Sequence, residues 1–382
     1  METKCIRLGD CILCNPKVKL TKGELYPVID IDKITVGRKY VSNKTFITFA
    51  GQSGCKFENG DTLMARITPC LENGKMAVAK IASKGLGSTE LFVFRSKDGV
   101  TDEEFVYYLL KQQYIRNLAA NSMTGASGRQ RADLKFIKRI KIQLPNLDVQ
   151  HCIASILSTY DTLMENNTKR IRLLEKMAEN LYKEWFVRFR FPGHENVEME
   201  NGLPKGWKVK KYEDEFNVKY GKELPTDKLT KDGFPVFGSN GQIGYYTSYM
   251  YETPQILISC RGASSGVVNI SLPKSFITNN SLICEMTNET ESVFEYLKYC
   301  FLNTNLVQYQ TGSAQPQITI NNIVKLKLLI PSTDVQIKFA DKVRTLDKEV
   351  GNLQHQNSLL ARQRDLLLPR LMSGKLEVKV KE

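Results

Sequence analysis

The residues best suited to chemistry near the start of this chain are two cysteines. Cys11 and Cys14 have the Cys-x-x-Cys spacing found in many zinc sites. A structural zinc ion needs four ligands, and neither a second such pair nor a nearby histidine completes the set. The pattern therefore favours buried or incidental cysteines, and we expect no metal site in this chain.

An acidic group in the first third is the next candidate for chemistry. Asp61, Glu72 and Lys75 resemble a nuclease constellation, but the spacing from Glu72 to Lys75 is one residue too long. No two prolines are adjacent, so the Asn/Asp-Pro-Pro-aromatic motif of amino-methylating DNA methyltransferases is absent. Glycine-rich loops of the dinucleotide-binding and Walker types are absent too. The sequence therefore predicts no catalytic residue and no cofactor bound by this chain.

Binding chemistry is better represented, first in a polar loop rich in Gly and Arg. Arg129, Gln130 and Arg131 lie in this loop. Arginine can donate two hydrogen bonds to guanine, and glutamine can pair with adenine, so we expect these three to contact bases or a DNA groove. Lys135 and Lys138 follow, and we expect them to contact phosphates. The alternative is a solvated, charged strand edge.

Other candidate contacts lie in turns of both halves of the chain. In the first half, Arg66 and Lys75 lie around the turn Asn73-Gly74. The second half is less basic and richer in amides and hydroxyls, and its candidate reading residues are Ser239, Asn240, Arg261, Ser264, Gln315 and Gln317. Because Ser, Asn and Gly dominate turns, each of these loops has plain turn chemistry as its alternative.

Charge and composition limit the class of protein. The 382-residue chain carries a net charge of +13, and residues 1–145 contribute +10 of it. A basic excess in one globular segment favours a polyanionic partner such as nucleic acid, although basicity alone is weak evidence. Nine cysteines in a long chain suit a reducing compartment. We expect no membrane span and no secretory signal, because long apolar runs are absent and the first ten residues are charged and polar.

Short strands and one helix are expected to position the candidate residues of the first half. The predicted elements are strands at 46–49, 63–67 and 91–94, a helix over 102–120 and a strand over 137–144. Thr101 and Glu104 have capping-box spacing at the start of that helix.

The second half repeats the order of the first. The matching segments are 234–236 with 26–28, 257–261 with 62–66, Tyr296-Leu297 with Tyr108-Leu109 in a helix over 293–302, and 311–315 with 124–127 before a strand over 323–330. The sequences of the two halves agree more closely in the helices that follow than in these globular parts. This is expected if a common helical scaffold carries two globular domains with different binding surfaces.

Two long heptad stripes follow the globular segments. Positions at alternating spacings of four and three are mostly apolar from Ile153 to Trp185, and again 186 residues later from Phe339 to Leu371. The residues proposed to pair are Leu157, Met164, Asn167, Ile171, Leu174 and Leu181 in the first stripe and Val343, Val350, Leu353, Asn357, Leu360 and Leu367 in the second. This pattern predicts a coiled coil, and two ordinary amphipathic core helices are the alternative.

Antiparallel pairing of the full stripes gives a definite register. Facing residue numbers sum to 524, so Ile153 faces Leu371 and Asn167 faces Asn357. A facing asparagine pair can hydrogen-bond and disfavour slipped registers, whereas the alternative is that either asparagine lies at a frayed, wet position. At about 1.5 Å per residue each stripe spans roughly 48 Å, or one to one and a half DNA turns.

Three motifs give the chain its resemblance to a known family. They are the run Leu367-Leu368-Pro369-Arg370-Leu371-Met372-Ser373-Gly374-Lys375-Leu376, the paired Thr-Gly loops, and Leu181-Tyr182-Lys183-Glu184-Trp185-Phe186. Over essentially its whole length the chain resembles the specificity subunits of type I restriction-modification systems. One departure is Asp-Val-Gln at both helix starts (residues 148–150 and 334–336), where many relatives have Glu-Gln.

The resemblance implies an α+β fold with two globular α/β target recognition domains separated by two long helices packed as an antiparallel coiled coil. The implied segments are a first recognition domain at 1–145, a spacer helix at 146–191, a linker at 192–204, a second recognition domain at 205–331, a spacer helix at 332–375 and a tail at 376–382. Pro-x-x-Asp-Val-Gln begins both spacer helices.

The resemblance also implies function and partners. It implies a non-catalytic, cytoplasmic and nucleoid-associated subunit that reads a bipartite sequence in double-stranded DNA. Its implied partners are two modification subunits that use S-adenosylmethionine and restriction subunits that use ATP and Mg. Two alternatives remain, namely a self-contained DNA methyltransferase or nuclease, and a coiled-coil scaffold without DNA recognition.

Overall fold

The chain has mixed helix and sheet content and divides into two compact units. The computed structural model describes residues 3–42, 45–126, 128–287, 292–312 and 315–378. The first unit is Met1–Arg170 with Asn352–Glu382, and the second unit is Ile171–Gly351. The first long helix, Leu147–Tyr182, and the second long helix, Thr333–Met372, each contribute residues to both units.

The described part of the first unit contains three sheets. In sheet order, their strands are Thr3–Arg7 and Lys141–Pro145; Ile12–Cys14, Leu91–Ser96, Thr62–Ala65, Met76–Ala79 and Tyr40–Val41; and Phe46–Thr48, Leu25–Ile29, Lys84–Gly87 and Cys55–Glu58. The strands predicted at 46–49, 63–67 and 91–94 are therefore present with slightly shifted ends. Thr62–Ala65 and Met76–Ala79 are buried throughout, as expected of central strands.

The predicted helix over 102–120 is two helices, and its predicted cap is wrong. The helices are Glu103–Lys111 and Gln113–Asn121, with extended backbone at Gln112 between them. Asp102, not Thr101, caps the first one, because its carboxylate accepts from the Phe105 N–H at 2.7 Å. The Thr101 hydroxyl instead donates to the Cys11 carbonyl at 2.9 Å.

The predicted strand over 137–144 is also wrong in its first half. Residues Leu134–Arg139 form a short helix, and only Lys141–Pro145 is a strand. Asp133 caps that helix by accepting from the Lys135 N–H at 2.8 Å. Ile137 and Ile140 are buried, and their spacing of three fits a helical turn better than a strand.

The second unit repeats the order of these elements, and its described part contains four sheets. In sheet order, its strands are Lys208–Lys211 and Lys327–Ile330; Phe216–Tyr220, Ser281–Met286, Ile256–Ser259 and Val268–Ile270; Gly241–Tyr246, Phe234–Gly238 and Phe276–Ile277; and Met199–Glu200 and Leu203–Pro204. The predicted match between 26–28 and 234–236 is confirmed, because Val28 pairs in parallel with Leu86 and Val236 does so with Phe276.

Besides its parts of the two long helices, the described second unit has two α-helices of four residues and one of nine. They are Tyr212–Glu215, Phe294–Leu302 and Ile320–Ile323, with a π-helical turn at Lys183–Val187 and 3-10 turns at His194–Asn196, Thr226–Lys228 and Val307–Tyr309. The predicted strand over 323–330 is wrong in its first part, because Thr319 and Asn322 form a capping box that starts a helical turn there. The predicted linker, residues 192–204, is mostly exposed and contains the pair of two-residue strands that ends at the buried Pro204.

The repeated Asp-Val-Gln starts of the long helices have a structural explanation. Gln150 is buried and donates to the Pro145 carbonyl at 2.8 Å, while its amide oxygen accepts from the Asp102 N–H at 3.0 Å. Gln336 does the same in the second unit, with Pro331 at 2.8 Å and Val293 at 2.9 Å. Each glutamine thus joins the start of a long helix to the start of a shorter helix in the same unit.

The predicted match of Tyr296-Leu297 with Tyr108-Leu109 is wrong by three residues. The Tyr108 hydroxyl donates to Asp161 on the first long helix. The Tyr299 hydroxyl donates to Asp347 at 2.8 Å, and Asp347 lies 186 residues after Asp161. Tyr299 is therefore the counterpart of Tyr108. Both tyrosines follow a Tyr or Phe three residues earlier, which explains the mistaken alignment.

The predicted helix register holds within each unit. In the first unit, Asn167 donates its amide to the Asn357 oxygen at 3.1 Å, so the predicted facing pair is confirmed. In the second unit, the Trp185 and Phe339 rings, whose numbers also sum to 524, have centroids 5.9 Å apart. The twelve residues proposed to pair are all buried or half-buried. Among the residues that the structure describes, neither long helix nor any other is apolar enough to span a membrane.

Candidate nucleic-acid interface

A tight hairpin carries the arginine-rich loop of the first unit. Thr124 and Arg131 close this first hairpin (residues 124–131) through two backbone hydrogen bonds of 3.1 and 2.9 Å. Gly125 and Gly128 have φ of 122° and 78°, values that favour glycine, so the loop depends on both. Ser127 lies outside the described residues. Arg129 is exposed at the tip, which leaves its donors accessible to a ligand.

The first hairpin packs beside the end of the strand Thr62–Ala65. The Ala132 N–H donates to the Arg66 carbonyl at 2.8 Å, and the Thr68 N–H donates to the Gln130 carbonyl at 3.0 Å. The fold therefore brings together Arg66, Gln130 and Arg131, which the sequence placed in separate segments. Several hydrogen-bond donors that suit base edges thus share one surface.

Arg66 is the least accessible of these predicted contacts. Its guanidinium lies 4.9 Å from the centre of the Phe92 ring, and the residue is half-buried. Within the described part of the chain its Nε atom is buried without a hydrogen-bond partner. The Arg66 side chain therefore packs on Phe92, while its backbone carbonyl joins the strand end to the hairpin.

Glu90 is a residue of this surface that the sequence did not reveal. Arg131 donates from Nε to Glu90 Oε2 at 2.9 Å and from Nη2 to Oε1 at 2.6 Å. The hydrogen bonds from Arg131 hold the pKa of the Glu90 carboxyl below its usual range, so the pair is charged at neutral pH. Glu90 lies 41 residues before Arg131, and no motif links the two.

The lysines of the first unit are divided between two places. Lys135 and Lys138 are exposed on the helix Leu134–Arg139, close in sequence to the first hairpin. Lys75 is half-buried, and its ammonium donates to the Ile31 carbonyl at 3.0 Å. The exposed pair has the long, mobile side chains that suit phosphate contacts.

A second hairpin in the second unit is built in the same way. Thr311 and Gln317 close it (residues 311–317) with backbone hydrogen bonds of 2.8 and 2.9 Å, and Gly312 has φ 87°. Gln315 and Gln317 are exposed, whereas Ser313 and Ala314 lie outside the described residues. The loop therefore presents amides where the first hairpin presents guanidinium groups.

The second hairpin also packs beside a strand end, and this corrects the predicted match of 257–261 with 62–66. The Ile318 N–H donates to the Cys260 carbonyl at 3.0 Å, as Ala132 does to Arg66. Cys260 is thus the counterpart of Arg66, and Arg261 is displaced by one residue. Successive strand residues point to opposite faces, so the shift explains why Arg261 is exposed while Arg66 is half-buried.

The remaining candidates of the second unit lie in turns near the strand Ile256–Ser259. Asn240 is exposed and Ser239 half-buried in the turn before Gly241, and the Ser239 carbonyl accepts from the Ser259 hydroxyl. Ser264 is half-buried in another turn, where its carbonyl accepts from the Val267 N–H at 3.0 Å. These contacts stabilise the turns, and the exposed Asn240 amide remains the most accessible donor of the group.

The residues that suggested catalysis or metal binding have structural partners. Burial raises the pKa of Cys11 to about 12 and that of Cys14 to about 11, so both side chains are protonated thiols at neutral pH. Asp61 is buried and accepts from Arg95 at 2.6 and 2.8 Å. Within the described ranges no three His, Cys, Asp or Glu side chains form a group that could hold a metal ion.

Comparison with known proteins identifies the family. The model for the type I restriction modification DNA specificity domain matches residues 3–176 and 204–361. The MjaIX type I restriction enzyme specificity subunit of Methanocaldococcus jannaschii is 29% identical over 74% of this chain and 71% of its own length. The MjaVIII specificity subunit of the same organism is 22% identical over 99% of this chain and 94% of its own length.

A solved structure shares the fold. The S subunit of a type I restriction-modification system from M. genitalium aligns with a TM-score of 0.51 and 19% identity, covering 97% of this chain and 96% of that one. The two repeated hairpins lie inside the two segments that the family model matches. This chain belongs to the family of the type I restriction modification DNA specificity domain.

Proposed function

We propose that the chain is the specificity subunit of a type I restriction-modification complex and reads a bipartite sequence in double-stranded DNA. The observation that carries the proposal is the repeated hairpin, which packs on equivalent strand ends in two units of a specificity-domain chain. The two hairpins differ in side chains, so each unit reads a different half of the target. The proposed recognition domains are residues 1–145 and 205–331.

The charge distribution supports DNA as the ligand. Residues 1–145 carry most of the net charge, and Arg129, Lys135 and Lys138 are exposed near the first hairpin. Cations that neutralise phosphates release counterions, so binding to duplex DNA weakens steeply as salt rises. A scaffold without a role in DNA binding would show almost no such dependence.

The long helices are proposed to act as a rigid spacer in the form of an antiparallel coiled coil. They have 36 and 40 residues, which corresponds to roughly 54 and 60 Å at 1.5 Å per residue. The proposed spacer segments are 146–191 and 332–375, within which the α-helices are Leu147–Tyr182 and Thr333–Met372. The linker is 192–204 and the tail is 376–382. In this role the length of the helices determines the gap between the two half-sites.

The chemistry of the complex is assigned to partner subunits. The chain is proposed to be a non-catalytic cytoplasmic subunit, associated with the nucleoid, that recruits two modification subunits and the restriction subunits. S-adenosylmethionine, ATP and Mg act on those partners, which supply methyl transfer and cleavage.

A domain exchange tests this function. The chain is expressed with its modification subunits, and methylated sites are mapped in genomic DNA before and after residues 1–145 are replaced by those of a relative. The expected result is a change in one half of the methylated sequence with the other half and the gap retained. A change in both halves would overturn the two-reader proposal, and methylation by the isolated chain would show that it is itself an enzyme.

A further inference from the structure

The contact between Glu90 and Arg131 leaves one edge of the arginine open. Glu90 engages Nε and Nη2, the side edge of the guanidinium, at 2.9 and 2.6 Å. Nη1 lies 3.4 Å from the Arg129 carbonyl, a long contact. The end of the guanidinium, formed by Nη1 and the outer hydrogen of Nη2, is the edge that binds the O6 and N7 atoms of guanine. The Arg131 side chain is 44% exposed, and Glu90 does not occupy this end.

The second unit has two amides at the corresponding positions. The Arg66 N–H donates to the Glu90 carbonyl at 3.0 Å, and the Cys260 N–H donates to the Asn280 carbonyl at 3.0 Å. Asn280 is therefore the counterpart of Glu90. In the same way Gln317, which closes the second hairpin, is the counterpart of Arg131, which closes the first. An acid–base pair in one unit thus corresponds to an amide pair in the other.

We infer that Arg131, held on its side edge by Glu90, reads a guanine in the first half-site, and that Gln317 reads an adenine at the corresponding place in the second. Arginine and glutamine make the bidentate contacts that distinguish these two purines in the major groove. This inference rests on the proposed DNA-reading function and adds the chemical identity of one base in each half-site.

A phosphate contact explains Glu90 less well. The carboxylate neutralises the charge with which Arg131 would attract a phosphate, but it preserves the two donors that face guanine. It also restrains a long side chain before binding, which lowers the entropy lost when the contact forms. A simple surface ion pair is the other explanation, and such pairs contribute little to stability. Glu90 is therefore assigned as a positioning residue that acts through Arg131.

Base preference at single positions tests the inference. The complete complex of this chain with its modification subunits is prepared as wild type and as Arg131→Gln, Glu90→Gln and Gln317→Ala variants. Binding is measured to duplexes that carry each base pair at every position of the mapped site. Arg131→Gln should lower discrimination at one guanine of the first half-site by roughly 10- to 100-fold. Glu90→Gln should lower it at that same guanine by a smaller factor.

The variant of the second unit and one control complete the design. Gln317→Ala should affect one adenine in the second half-site alone. Lys135→Gln is the matched control, because it removes a positive charge from an exposed residue near the first hairpin, as Arg131→Gln does. It should weaken binding to all duplexes equally and leave every base preference intact. Thermal unfolding of each complex distinguishes lost preference from lost folding.

The outcomes separate the inference from the proposed function. A wild-type complex with no sequence preference would overturn both. If the wild-type complex is sequence-specific, two results would overturn the inference alone. Arg131→Gln and Glu90→Gln could weaken binding to all duplexes equally, or they could alter base preference at different base pairs. Loss of preference at one shared guanine, with the second half-site unchanged, supports the assignment of Arg131 and Glu90.

Discussion

In both units a tyrosine hydroxyl donates to an aspartate on a long helix, but the charged residues beside this contact differ. In the first unit, Arg364 pairs with Asp161, and only 2% of each side chain is exposed. In the second unit, Lys298 pairs with Asp347 at 2.7 Å, and these side chains are 17% and 30% exposed. The stripe position 186 residues before Arg364 is the small, apolar Ala178. A buried ion pair in one unit thus corresponds to a partly solvated one in the other.

The two units therefore share the position of the tyrosine–aspartate hydrogen bond but not the source or burial of the cation that pairs with the aspartate. Tyrosine and aspartate join the helices in both units, while the cation comes from the second long helix in one and from Phe294–Leu302 in the other. A buried ion pair is costly to break, because the remaining charge is left without a partner. We therefore expect the first unit to depend on its ion pair far more than the second.

The largest expected effect comes from removing the buried cation. Arg364→Met leaves Asp161 charged and buried, and should lower the free energy of unfolding by about 3–5 kcal/mol. Lys298→Met breaks the more solvated pair and should cost about 1 kcal/mol or less. Urea unfolding of the full chain measures both losses, and hydrogen exchange should assign the first to residues of the first unit.

An exposed arginine two residues away provides the control for this comparison. Arg362 lies on the same helix and is exposed, so Arg362→Met changes the net charge equally without uncovering a buried acid. It should change stability by less than about 0.5 kcal/mol. Equal losses from Arg364→Met and Lys298→Met would contradict the argument that burial separates the two junctions.

Removal of the glutamine at each helix start should, in contrast, lower the stability of the two units by equal amounts. Gln150→Ala and Gln336→Ala each leave a half-buried N–H and a buried carbonyl without their amide partner, so each should cost about 2–3 kcal/mol in urea unfolding. Gln354→Ala, at an exposed helix position, is the matched control and should cost little. A loss in only one unit would show that the common motif has lost its role in the other.

The long helices and their register could be predicted because their signal is local and repeated. An apolar stripe at heptad spacing determines which face pairs, and the polar Asn167 and Asn357 limit that pairing to one register. The beginning of each helix was visible for the same reason, since Asp-Val-Gln appears twice. What the sequence did not reveal is that Gln150 and Gln336 bind backbone of the preceding globular region.

The candidate interface could be predicted only in part. The candidate loops were predicted from Gly, Arg and Gln, but Glu90 depends on a contact between distant segments that no spacing indicates. The one-residue shift between Arg66 and Arg261 was hidden, because both strands end in arginine and only the backbone hydrogen bonds distinguish them. The end of the helix Leu134–Arg139, residues 137–139, was predicted as strand because short apolar runs fit either period.

The smallest expected effect concerns the asparagine pair. Asn167 also donates to Gln356 at the longer distance of 3.4 Å, so its amide nitrogen has a second acceptor besides Asn357. Asn167→Leu should cost about 1 kcal/mol, because Asn357 then faces an apolar side chain. The double variant with Asn357→Leu should recover that loss, since two leucines at facing stripe positions pack well. Asn166→Leu, at an exposed position, is the control. Urea unfolding gives the coupling energy, and simple additivity of the two single changes would show that the asparagines do not act as a pair.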